Sequence, residues 1–135
     1  MLRNLVTLSL VALLSGCATE KNDRSLLDTT LESYANIIRW GNFEDAVAFV
    51  DPETIKTHPV TRIDLDRYTQ VHVSGYSEQP PRPAGEHEMR QTVEISLVNN
   101  NTQTMRTIVD HQVWRYDAKG KHWWLVSGLP DITQH

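Results

Sequence analysis

Apolar positions divide the chain into three stretches of different period. A largely apolar run from Leu5 to Leu14 follows the charged start at Arg3 and gives way to small residues before Cys17. Leu27, Leu31, Tyr34 and Ile38 then recur at helical spacing, behind Ser25 and Asp28, which fit a capping box. Gly41 suits a left-handed helix end. Asn42 suits the start of a second short helix carrying Phe43, Ala46, Val47 and Val50 on one side. Asp51-Pro52-Glu53 reads as a further N-cap with proline at the first helical position, leading a turn that stops near Pro59.

From Arg67 the period falls to two. Val71 and Val73 alternate with His72 and Ser74, and the strand ends at Gln79-Pro80-Pro81-Arg82-Pro83-Ala84-Gly85, too proline-rich for a central strand. Met89, Gln91, Val93, Ile95 and Leu97 form one face of a second strand that runs into Asn99-Asn100-Asn101. A third strand covers about Gln103 to Tyr116. Asp117 to Lys121 makes a turn with glycine at the left-handed position, and His122 to Ser127 returns as a fourth.

Charge pairing selects a register. A three-residue loop after the second strand sets Glu94 opposite Arg106 and Arg90 opposite Asp110, with Ile95 meeting Met105 on the other face. A bulged turn at Gly120 sets Val113 against Leu125 and His111 against Ser127 inside, and Trp114 against Trp124 outside. This register turns Gln91, Thr107, His111 and Ser127 inward among apolar residues, as a candidate pocket. It turns Ile108, Trp114, Tyr116, Trp124 and Val126 outward; Trp114, Tyr116 and Trp124 are the candidate interface, a patch larger than monomers commonly expose. The covering is expected from a homodimer, a different partner protein, or the chain's own segment Leu129 to His135.

Composition changes the reading at the N-terminus. The charged start, short apolar run and small residues before Cys17 have the three regions of a secretory signal peptide, and the run is too short to span a bilayer. Leu14-Ser15-Gly16-Cys17 resembles the lipobox of bacterial lipoproteins. That resemblance implies cleavage before a lipidated Cys17 and attachment to the membrane through it. Ala18, where an aspartate would imply inner-membrane retention, implies the outer membrane facing the periplasm. The expected organisation is a signal peptide over 1–16, a polar lipidated tether over 17–24 and one domain over 25–135. Removing the first 16 of 135 residues leaves 119, with 12 basic and 17 acidic side chains, and only Cys17 as cysteine. No basic cluster suits nucleic acid, and no disulfide staples the domain.

Helices first and an antiparallel meander after them predict an α+β domain, with N-terminal helices packed on a curved four-stranded antiparallel sheet. The element order and final Trp-rich hairpin over about Ser25 to Gly128 resemble the cone-shaped roll of the nuclear-transport-factor-2-like superfamily; cystatin-like and other helix-on-sheet folds stay open. The resemblance implies a pocket between helices and sheet, used by some members for acid-base chemistry and by others for none. The register places no carboxylate in that pocket, so no Asp-His proton-transfer pair assembles. His111 reads as a core histidine before it reads as a ligand. The histidines show no metal-binding spacing, so neither metal nor cofactor is expected. Asp64 and Asp66, sharing a face, read as a solvated loop before they read as paired acids. The functional expectation is a membrane-anchored, non-catalytic binding or assembly module. The alternative is a small-molecule carrier or enzyme using the pocket, with its ligand unknown.

Overall fold

The computed structural model describes residues 16–135, with side chains from residue 21 onward. The signal-peptide reading therefore falls, except at Gly16, outside the described residues, as does the side chain of Cys17. Four helices precede and border a curved antiparallel sheet: α1 (Gly16–Arg39), α2 (Phe43–Ala46), α3 (Pro52–Thr57), α4 (Arg62–Tyr68), then β1 (Val71–Glu78), β2 (Arg82–Gly85), β3 (Glu88–Asn99), β4 (Met105–Asp117) and β5 (His122–Leu125). A single 3-10 turn, Val47–Phe49, joins α2 to α3. The sheet runs β1-β3-β4-β5, and β2 continues the line of β1 along β3, so the sheet is four strands wide. The domain is α+β, with helices packed on a curved sheet.

Helix α1 buries Leu27, Leu31, Tyr34 and Ile38, the face that its spacing marks. It is already helical from Gly16, well before Ser25, so Ser25 is no cap; its carbonyl accepts from Thr29 Oγ1 at 3.0 Å inside the helix. The segment expected as a tether is thus the first part of α1. Gly41 closes the helix at φ +73°, where the amides of Gly41 and Asn42 bond back to Ile38 and Ile37, a Schellman end. Asp51 precedes Pro52 at the start of α3 as expected, yet its carboxylate does not cap the helix. It reaches Arg115 on β4 at 3.0 Å. Helix α4 lies where no helix was expected, opened by a reciprocal capping box between Thr61 and Asp64.

The registers differ from expectation. Ile95 pairs with Ile108, Val93 with Asp110 and Leu97 with Arg106. The β3–β4 loop holds five residues, 100–104, and Asn99 accepts the amides of Asn101 and Thr102 on its side chain while Gln103 takes φ +59°. This register lies three places from the charge-paired one, and three is odd, so every side chain of β4 changes face. Ile108 and Trp114 go inside, at 2% and 0% exposure, while Met105 is 69% exposed. Burial decides the outcome: two exposed ion pairs are worth at most about 1 kcal/mol each, whereas a buried tryptophan is worth several. In the last hairpin Trp114 pairs with Leu125, one place from expectation. There Lys121, not Gly120, takes the left-handed conformation. A Cβ on Gly120 would stand 3.0 Å from Asp117 Oδ2 and crowd the carboxylate that accepts the amides of Lys119 and Gly120.

The chain itself bonds along the free edges of β5 and β4. Val50 forms a parallel bridge to Leu125, the Asp51 amide donates to the Leu125 carbonyl at 3.0 Å, and Thr54 Oγ1 donates to the Val126 carbonyl. The C-terminal segment turns at Gly128, φ +80°, and buries Ile132 against the core. Gln134 then takes both backbone groups of Val109 on its side-chain amide, at 3.2 and 3.1 Å.

Candidate functional site

The flipped face of β4 carries the polar interior. Asp110, Gln112 and Trp114 alternate along the strand and point together toward the helices. Gln112 Nε2 donates to Asp110 Oδ2 at 3.0 Å and to the Tyr76 hydroxyl at 3.0 Å, while Gln112 Oε1 accepts from Trp114 Nε1 at 3.1 Å. One amide thus joins an acid, a phenol and an indole. Tyr34 from α1 packs edge-on against Trp114 at 5.3 Å and against Phe49 at 5.5 Å. Its hydroxyl is buried and has no hydrogen-bond partner among the described residues. Burial pushes the Asp110 carboxyl up to about 6, against smaller opposing effects of the Gln112 amide and of His111. Burial, and then the charge of Asp110, raises the Tyr34 phenol well above its ordinary value.

The expected pocket residues separate. Gln91 alone is inside, donating to the Gln79 carbonyl at 3.0 Å. His111 and Thr107 are exposed on the outer face, the first 3.4 Å from Thr92 Oγ1 and the second 3.3 Å from Ser96 Oγ. Ser127 is exposed and accepts the Val113 amide at 3.0 Å. The inward carboxylate expected to be missing is therefore present as Asp110. His111, its neighbour in sequence, points the opposite way, so the two still form no proton-transfer pair. The odd shift in the β3–β4 register exchanges acid and histidine between the two faces.

The expected interface dissolves in the same way. Trp114 is core, Tyr116 is half-buried at 5.1 Å from Trp123, and only Trp124 stays outside, 4.1 Å from the ring of His122. Asp64, weighed as one of two paired acids, is the capping residue of α4, and its bonds to Thr61 hold its carboxyl below the usual range.

Two of the external clefts that border the helices combine apolar and charged walls. One, of about 340 Å³, lies beside the Asp23–Leu27 turns of α1; Leu27, Pro83, Met89, Tyr116 and Trp123 form its apolar wall, with Arg24 and Glu88 among its charged residues. Trp123 is fixed there by its Nε1, which donates to the Asp23 carbonyl at 3.1 Å. The other, of about 380 Å³, lies between α3, α4 and the C-terminal segment and contains His58, Asp64 and Ser127. Those three belong to the residue types of a hydrolytic triad, but each is bonded elsewhere: His58 to Thr57, Asp64 to Thr61 and Ser127 to Val113. Neither cleft is lined by Asp110, Gln112, Tyr34 or Tyr76. Among the described residues no group of His, Cys, Asp or Glu is placed to hold a metal ion, and no helix is long and apolar enough to cross a membrane. No family model, curated protein or solved structure matches the chain.

Proposed function

We propose that the protein is a lipid-anchored, non-catalytic binding or assembly module of a bacterial envelope, held through Cys17 at the outer membrane and facing the periplasm. The observation that carries this reading is the filled interior. The space where a roll of the nuclear-transport-factor-2-like kind would receive a substrate is taken by Tyr34, Ile95, Ile108, Trp114 and Leu125, each 2% exposed or less. Binding then falls to the outside. The cleft beside Asp23 to Leu27 of α1 suits it, because it combines an aromatic wall with a charged rim, the composition of a recognition hot spot. Asp23 lies six residues after Cys17, about 9 Å along the helix, so a partner in the cleft sits close to the anchor.

Two experiments test the parts separately. Cys17→Ser should leave an uncleaved precursor or a soluble product, and mass spectrometry finding an unmodified Cys17 on the processed chain refutes the anchor. A photo-crosslinker at Glu88 should capture one envelope protein or a second copy of this chain. Met89→Glu should abolish that capture. Capture that persists unchanged refutes the cleft.

The unpartnered Tyr34 hydroxyl beside a raised carboxyl favours a second reading, a small-molecule site opened by movement of α1. It requires a ligand whose binding is lost in Tyr34→Phe.

A further inference from the structure

Asp110 is an acid buried without a cation. Its residue is 7% exposed, and among the described residues it makes no ion pair. The groups acting on it come from every layer. Tyr34 faces it from α1, Tyr68 from α4 and Tyr76 from β1, all three with phenols raised in part by its charge. Val93 stands opposite on β3, and among the described residues Gln112 alone donates a side-chain hydrogen bond to Asp110. The cations of the inner side are engaged elsewhere. Arg39 pairs with Glu78 at 3.7 Å and lies 5.2 Å over the Tyr76 ring, and Arg106 donates to the Ile132 carbonyl. His111 lies on the opposite face of the strand.

We propose that Asp110 is a proton-operated latch between the helical layer and the sheet, closed when the carboxyl is neutral and loosened when it is ionised. A neutral carboxyl keeps its bond from Gln112 and gains one O–H donor. The Tyr34 hydroxyl in the same interior is not bonded to it, so the neutral form is favoured because it removes the charge that burial penalises. An ionised carboxylate there has no cation to offset its desolvation, so α1 and α4 gain by parting from the sheet and admitting water. The ligand of this site is the proton, taken from and returned to bulk water.

The sign follows from linkage. The folded-state value, about 6, lies above the ordinary 3.8, so the folded state binds the proton more tightly. The stabilisation is complete below the ordinary value, falls as pH rises between the two, and is gone above about pH 6.

The test uses the full chain in detergent micelles. Between pH 4 and 7.5 the melting temperature should fall by several degrees and the unfolding constant should rise on the order of 100-fold, the equivalent of two pKa units. Hydrogen-exchange protection factors at Leu27 to Ile38, which correct for base-catalysed intrinsic exchange, should fall over the same interval. Asp110→Asn, which keeps an acceptor for Gln112 and cannot ionise, should remove both trends. A wild-type profile flat between pH 4 and 7, or a slope unchanged in Asp110→Asn, overturns the latch. Should that variant not fold, carbon NMR of the Asp110 carboxyl decides: a midpoint near 6 supports the proposal, and a midpoint near 4 overturns it.

Discussion

Tyr34 presents the sharpest energetic question at the scale of a single residue. Its ring is fully buried between Trp114 and Phe49, while its hydroxyl has lost water and gained no partner among the described residues. A buried hydroxyl in that state costs about 1 to 3 kcal/mol. Tyr34→Phe keeps the ring contacts and removes the cost, so it should stabilise the domain by about 1 kcal/mol in denaturant unfolding at pH 7. Destabilisation by as much would mean that the hydroxyl is bonded in solution. Other residues were legible from sequence because their roles are local. Pro52 after Asp51 and Gly41 after Arg39 announce helix ends through backbone geometry alone. His111 and Asp110 were not legible, because a strand residue's face depends on a loop elsewhere.

Among the elements, the C-terminal segment does the work of an extra strand without being one. Strand β5 ends at Leu125, while β4 extends back to Met105, leaving a length of exposed edge. Ser127 occupies it at Val113 and Gln134 at Val109. Removing residues 131–135 should therefore do two things: lower stability by about 2 to 4 kcal/mol through loss of the buried Ile132 side chain, and promote association through the freed edge. Thermal melts and sedimentation measure each. A truncated chain that melts as the intact one, and stays monomeric, contradicts this account. Element identity was mostly readable, since periods of 3.6 and 2 survive whatever packs against them. Helix α4 was missed although Thr61-x-x-Asp64 spells its capping box, because only Leu65 and Tyr68 follow as apolar support. The β4 register was missed because the Asn99 side chain builds a longer loop than the charge pairs implied.

At the scale of the whole molecule, two sets of acids pull stability in opposite directions. Asp64, Asp117 and Asp131 are held below the usual carboxylate range, chiefly by side-chain or backbone hydrogen bonds, so their contribution is present above about pH 3.8 and lost on further acidification. Asp110 acts the other way between about 3.8 and about 6. The stability maximum should therefore lie near pH 4 to 5, below the near-neutral optimum usual for domains. In Asp110→Asn it should broaden into a plateau reaching neutrality, which denaturant midpoints across pH will show. The α+β order and four-strand width followed from pattern alone; the chemistry of the interior did not, because it depends on which residues share a face.

The grip of Trp123 on the Asp23 carbonyl also has a mechanical side. That bond ties the early turns of a continuous helix about 36 Å long to the last strand of the sheet, while Arg39 ties its far end to β1. A pull applied at the start of α1 therefore loads the whole helix in shear across the sheet, rather than peeling it one turn at a time. Tension reaches both edges of the sheet at once, and the domain would yield abruptly, at a force set by sliding one layer over the other.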